Sequence, residues 1–149
     1  MAATFFSGFK DEQSALAFLL EQIYEGFQMQ NSICVVLKDE KHCNEFKKAQ
    51  QLKYFENGKI EYLYDGNISI LDSKPADEFD EIHILSDKVL ELPTSVCENV
   101  YVYTTQADED ITKASRELYA NLKKNNFDLS HEAVSVSYTH LTLPTTTIV

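Results

Sequence analysis

The chain has 149 residues, 44% hydrophobic and 25% charged, which is enough for one domain with its own core. Its formal net charge is −11 and Arg116 is its single arginine, so it lacks the basic surface that autonomous nucleic-acid binding needs. No apolar run reaches the ~20 residues of a membrane-spanning helix, and no signal-peptide pattern opens the chain, so we expect a cytoplasmic protein without a membrane partner.

The first half of the chain predicts two helices around one strand. Residues 5–9 form an extended lead-in that packs on the core, and residues 11–27 have the three- and four-residue apolar spacing of an amphipathic helix. Residues 32–37 are a continuous apolar run, typical of a strand buried on both faces of a parallel sheet. Residues 40–52 predict a second helix, with Asp39 as its N-cap.

The second half predicts more strands and a last helix. Residues 60–64 and 68–71 are short strand candidates, and the Asp-Gly pair between them predicts a hairpin. Residues 81–85 and 100–104 predict further strands, and residues 108–125 a helix. This order predicts a three-layer α/β domain with a mostly parallel central sheet of about five strands flanked by helices.

We place a single α/β domain at residues 1–130 and a poorly packed tail at residues 131–149. Residues 136–149 contain no Asp, Glu, Lys or Arg. Residues 136–146 resemble the conceptual translation of a transposon-based sequencing-library adaptor, in which case the true C-terminus is missing and the tail is in part non-native. The alternative is a genuine threonine-rich terminal strand.

Acidic residues are concentrated between residues 65 and 98, which carry nine acids and two lysines. The acidic face Asp77, Glu78, Asp80 and Glu81 is interpreted as a solvated loop, as a surface for a basic partner protein, or as a divalent-cation site. The cysteines are odd in number and form no Cys-x-x-Cys pair, which favours reduced structural thiols. His83 alternates with isoleucines in a strand, which favours a structural role over a ligand or base.

Three segments occur in an order that matches a known domain. They are Asn-Ser-Ile-Cys-Val-Val-Leu-Lys at residues 31–38, a strand followed by Glu-Phe-Asp within residues 68–85, and Val-Tyr-Val-Tyr-Thr-Thr-Gln-Ala at residues 100–107. Together they resemble the second RecA-like domain of UvrD-type superfamily 1 helicases, in which the last segment reads Leu-Tyr-Val-Ala-Leu-Thr-Arg-Ala. That motif begins a helix in the family, whereas the residue pattern here makes its first half a strand.

The resemblance implies a vestigial nucleotide site at Lys38, Glu78, Thr105 and Gln106. In the family this domain supplies arginines to an ATP site shared by two RecA-like domains. Gln106 stands where the arginine finger belongs, and loss of such a finger costs on the order of 10³–10⁵ in rate. The four glycines form no phosphate-binding cluster. We therefore expect no cofactor and no nucleotide hydrolysis by the chain alone.

The functional hypothesis is a non-catalytic helicase-like domain that acts through protein–protein contact, either standing alone or as a fragment of a larger helicase-like protein. The alternative is a small acidic phage-type inhibitor, or DNA mimic, that blocks a nucleic-acid-binding or defence protein. A small-molecule-binding enzyme with an unrecognised site is a third possibility. Both leading hypotheses imply a protein partner.

Overall fold

The computed structural model describes residues 2–29, 31–56, 68–73, 75, 78–89 and 97–134. Within these residues the chain has six strands and three helices, the mixture from which layered α/β domains are built. The elements are β1 (Ala2–Phe9), α1 (Glu12–Gln28), β2 (Ile33–Leu37), α2 (Glu40–Glu56), β3 (Ile68–Leu71), β4 (Phe79–Leu85), β5 (Cys97–Thr105), α3 (Glu109–Lys124) and β6 (Asp128–Ala133).

The strands form one sheet in the order β3-β2-β4-β5-β1-β6, and every neighbouring pair is parallel. β2 is buried along its whole length, as its unbroken apolar sequence predicts. The predicted α/β fold with a central parallel sheet is thus confirmed, with six strands instead of about five. Four of the six match predicted strands, and the fifth predicted strand, at residues 60–64, lies outside the described residues. The other two are β1, predicted only as an extended lead-in, and β6, which lies at the edge and is almost wholly exposed.

The helices lie on opposite faces of the sheet because the chain crosses it in two directions. The connection from β1 to β2 crosses β5 and β4 towards the β3 end of the sheet. The connection from β5 to β6 crosses β1 towards the β6 end. Crossovers of one hand must then put α1 and α3 on opposite sides. Alternate strand residues separate accordingly into two apolar clusters, one with α1 and α2 and one with α3.

Strand β1 is irregular near its end. Its register with β5 shifts between Phe6 and Phe9, and Gly8 lies between them with φ +92°. A side chain at Gly8 would collide with the Val134 carbonyl oxygen. Because of this irregularity, the side chain of Phe9 packs in the apolar cluster that contains α1. Strand alternation places Ser7 on the opposite face of the sheet, which α3 covers.

A polar chain runs through the core on the α1 side. The carboxylate of Glu81 lies 2.9 Å from Nε2 of His83, and Nδ1 of His83 lies 2.7 Å from the Tyr103 hydroxyl. Asn31 donates a 2.7 Å hydrogen bond to the other oxygen of Glu81. His83 is therefore the structural histidine that its strand position predicts. Glu81, by contrast, is only 7% exposed and does not belong to the exposed acidic face predicted for it.

Several predicted features lie outside the described residues. These are the hairpin partner at residues 60–64, the acidic residue Asp77 and the adaptor-like segment at residues 136–146. Strand β6 continues three residues past position 130, where the domain was predicted to end, and it pairs with β1. Among the described helices, none combines the length and apolar character needed to cross a membrane.

Candidate functional site

The carboxyl ends of parallel strands meet at one edge of the sheet, where α/β domains place their ligands. Here this carboxyl edge consists of the residues that follow β1, β2, β4 and β5. They are residues 10–12, 38–40, 86–88 and 106–110. All three helices begin at this edge, so their N-terminal amides and positive dipole ends point towards it.

Each of these helix N-termini is closed by an aspartate of the chain itself. Asp11, Asp39 and Asp108 each accept a hydrogen bond from the backbone amide three residues further on, at 2.8, 2.8 and 3.2 Å respectively. Free helix N-termini bind phosphate through the same amides. The carboxylates therefore occupy the positions that phosphate oxygens take in nucleotide-binding α/β domains.

Asp108 also forms an ion pair with Lys38. Its Oδ2 lies 2.8 Å from Nζ of Lys38, and the two side chains are only 20% and 25% exposed. The hydrogen bond from Lys38 holds the pKa of Asp108 below its ordinary value, and the same bond raises the pKa of Lys38. The charge of Lys38 is thus paired within the chain.

His42 links the starts of α1 and α2. Its Nδ1 lies 2.6 Å from Asp39 Oδ1, and its Nε2 lies 3.0 Å from Glu12 Oε2. The hydrogen bond from the His42 ring, followed by that from its amide, lowers the pKa of Asp39. Hydrogen bonds from the chain therefore favour the ionised form of Asp39, as they do for Asp108.

Asp87 follows β4 and faces the same edge. Its Oδ1 is buried and is the one side-chain polar atom, among the described residues, that is buried without a hydrogen-bond partner. Asp87 also lies close enough to Lys38 to raise that lysine's pKa. Buried carboxylate oxygens in proteins normally accept a hydrogen bond, so this oxygen is an exception.

The four predicted nucleotide-site residues do not come together. Lys38, Thr105 and Gln106 lie at the carboxyl edge, but Glu78 precedes β4 at the opposite edge, a strand length of about 23 Å away. Thr105 is buried, where its hydroxyl donates to the Phe9 carbonyl at 3.0 Å. β5 stays extended through Thr105, whereas the helicase motif begins a helix in that stretch.

Of the predicted acidic face, Glu78 and Asp80 are exposed and Glu81 is buried. Asp80 also accepts a 2.8 Å hydrogen bond from the Ser32 amide. The stronger acidic surface is the carboxyl edge, which sequence reasoning did not assemble. Each of its acids follows a strand or begins a helix, and that shared position was the signal available in the sequence.

Among the described residues, no three His, Cys, Asp or Glu side chains are grouped so as to hold a metal ion. The arrangement instead offers carboxylates in excess over cations, held in fixed positions by helix caps. Comparison with protein-family models and with curated proteins finds no match to this chain.

Proposed function

We propose that this chain is a non-catalytic, helicase-like α/β domain that acts through protein–protein contact, and that its carboxyl edge is the contact surface. The observation that carries the proposal is the capping of all three helix N-termini by Asp11, Asp39 and Asp108. These three positions are where such a domain would otherwise hold phosphate.

The capping argues against nucleotide chemistry in two ways. A phosphate at any of the three helices would have to displace an ionised carboxylate that already satisfies the amides. It would also approach further acids in the first helical turns, including Glu12, Glu40 and Glu109. Like charges at such distances repel strongly when partly shielded from water. The turn between β1 and α1 contains no glycine-rich loop to add further amides.

The same charges favour a basic protein partner. The carboxyl edge carries eight acids and three lysines, and one of those lysines is already paired with Asp108. A surface of one sign steers a partner of the opposite sign and sets its orientation.

This acidity also favours the second candidate, an inhibitor that mimics DNA and occupies the nucleic-acid site of its partner. The two candidates share one surface and differ in what the partner loses on binding.

Cys34 and Cys43 are both buried free thiols, and we place the protein in the cytoplasm on that basis.

The proposal is tested with a fluorescent arginine-rich decapeptide as a basic probe. The triple variant Glu40→Gln, Glu109→Gln and Asp110→Asn removes three exposed charges from the carboxyl edge. We expect about tenfold weaker peptide binding by anisotropy at physiological salt, because these charges begin two helices that the Lys38–Asp108 pair holds side by side.

A matched control removes three exposed charges elsewhere, through Glu117→Gln, Asp128→Asn and Glu132→Gln. The control should weaken binding by less than about threefold, since it changes the net charge equally but leaves the edge intact. Equal losses in both triple variants would contradict a localised contact surface. Competition with duplex DNA for a basic DNA-binding protein separates the candidates, since only the mimic displaces the DNA.

A further inference from the structure

A second concave site lies on the α3 face of the sheet, beside the first half of that helix. It is a pocket of about 650 Å³ between α3, the end of β1 and β6. β1 and β5 are neighbours whose connections leave towards opposite faces, so the pocket sits at a topological switch point. Both its size and its position are those of small-molecule sites in α/β domains.

The charge of this pocket is unusual for the chain. The protein has 24 acidic residues and one arginine, yet the described lining contains Arg116 and no Asp or Glu. Arg116 is exposed and forms no ion pair within the described part of the chain. A guanidinium in these surroundings presents its fork of donors to an oxyanion.

The other walls divide into a polar side and an aromatic side. On the polar side the Ser7 hydroxyl lies 2.9 Å from Nε2 of His131, and the side chain of Gln106 is close by. On the aromatic side Phe5 and Tyr119 meet edge to face at 5.1 Å, and Tyr119 remains 41% exposed. The pocket thus combines a cation, neutral hydrogen-bonding groups and a partly exposed ring.

The position of Arg116 follows from helix periodicity. Thr112, Arg116 and Tyr119 are spaced four and three residues apart and form one stripe on α3. The buried face of α3 is a different stripe, which includes Leu118 and Leu122. Arg116 therefore lies outside the buried stripe of the helix.

We propose that this pocket binds a small organic anion that carries a carboxylate or phosphate group on a ring. Arg116 binds the oxyanion through paired hydrogen bonds, Ser7, His131 and Gln106 supply neutral hydrogen bonds, and the ring packs on Tyr119. This site shares Gln106 with the carboxyl edge, but its lining includes none of the three aspartates that cap the helices.

The test titrates the full chain with phenyl phosphate and with benzoate and follows backbone amide shifts by NMR. We expect saturable binding with Kd on the order of 1 mM, as for a ligand of this size, with shifts centred on the residues of the pocket. Inorganic phosphate and benzyl alcohol, which each lack one half of the ligand, should bind at least about tenfold more weakly.

The matched variants are Arg116→Gln and Lys113→Gln, which remove one exposed charge each from the same helix. Arg116→Gln should weaken binding of phenyl phosphate at least about tenfold, and Lys113→Gln less than about twofold. Equal losses in the two variants, or no saturable shift with either ring-bearing anion, would overturn the proposal. Equal affinity for inorganic phosphate and phenyl phosphate would overturn the role of the ring.

Discussion

Replacement of His83 by alanine is expected to lower the free energy of unfolding by about 3–4 kcal/mol. His83 is fully enclosed between Glu81 and Tyr103, and the pKa of the Glu81 carboxyl is held below its ordinary value by hydrogen bonds from His83 and Asn31 that outweigh its burial. The ionised carboxylate accepts from Nε2–H, so Nδ1 of the neutral ring accepts from the Tyr103 hydroxyl. Removal of the ring leaves the Glu81 carboxylate and the Tyr103 hydroxyl buried without this hydrogen-bond partner.

Urea denaturation measures this loss, with His131→Ala as the control. His131 is also a strand histidine with one hydrogen bond, to Ser7, but it is exposed. Its replacement should change the free energy of unfolding by less than about 1 kcal/mol. If His83→Ala lowers the free energy of unfolding no more than His131→Ala does, the hydrogen bonds of the buried polar chain do not stabilise the fold.

The same residues predict the response to acid. Burial lowers the pKa of His83, so below about pH 6.5 the unfolded chain binds a proton that the folded chain excludes. Glu81 acts in the same direction, because its lowered pKa contributes stability that is lost as pH falls. Stability should therefore decrease from neutral to acidic pH, with a shallower slope in His83→Phe, which lacks the titrating ring.

Replacement of Asp108 by alanine is expected to cost about 2 kcal/mol of unfolding free energy, because one carboxylate serves two functions. Oδ1 caps α3 by accepting from the Asp110 and Ile111 amides, and Oδ2 pairs with Lys38. The cap contributes the larger part, since the ion pair retains some exposure to solvent. Because the pKa of Asp108 is lowered, its contribution is present near neutral pH and is lost in acid.

Asp108→Asn separates these two functions. Asparagine caps helices about as well as aspartate but cannot form the ion pair, so its cost should stay below about 1 kcal/mol. Combined with Lys38→Met in a double-mutant cycle, it should give a small favourable coupling energy. If Asp108→Asn were as damaging as Asp108→Ala, the pair with Lys38 would dominate instead of the cap.

The sequence predicts the elements whose pattern of apolar residues is determined by burial. β2 is enclosed on both faces and reads as an unbroken apolar run, and α3 buries one regular stripe of its residues. β6 gave no such signal, because an exposed edge strand needs neither an apolar run nor strict alternation. β1 appeared only as an apolar lead-in, since its position between β5 and β6 follows from long-range pairing.

The candidate site was harder to predict for a related reason. Asp39 was identified as a cap from its neighbours, but the gathering of Asp11, Asp39 and Asp108 at one edge depends on strand order. Glu78 was placed with Lys38 by motif similarity alone, and the direction of β4 puts it at the far edge. The pocket near Arg116 joins residues separated by more than a hundred positions, which no local pattern encodes.

The most direct test of the capped carboxyl edge is calorimetric titration of Mg–ATP into the full chain, with phosphate release measured in parallel. Arg116→Gln is titrated alongside, so that any heat from the separate pocket is recognised by its loss in that variant. We predict no saturable binding tighter than about 1 mM in Arg116→Gln, and no phosphate release from either protein. Micromolar binding that survives in Arg116→Gln, or ATP hydrolysis by the chain alone, would contradict the account.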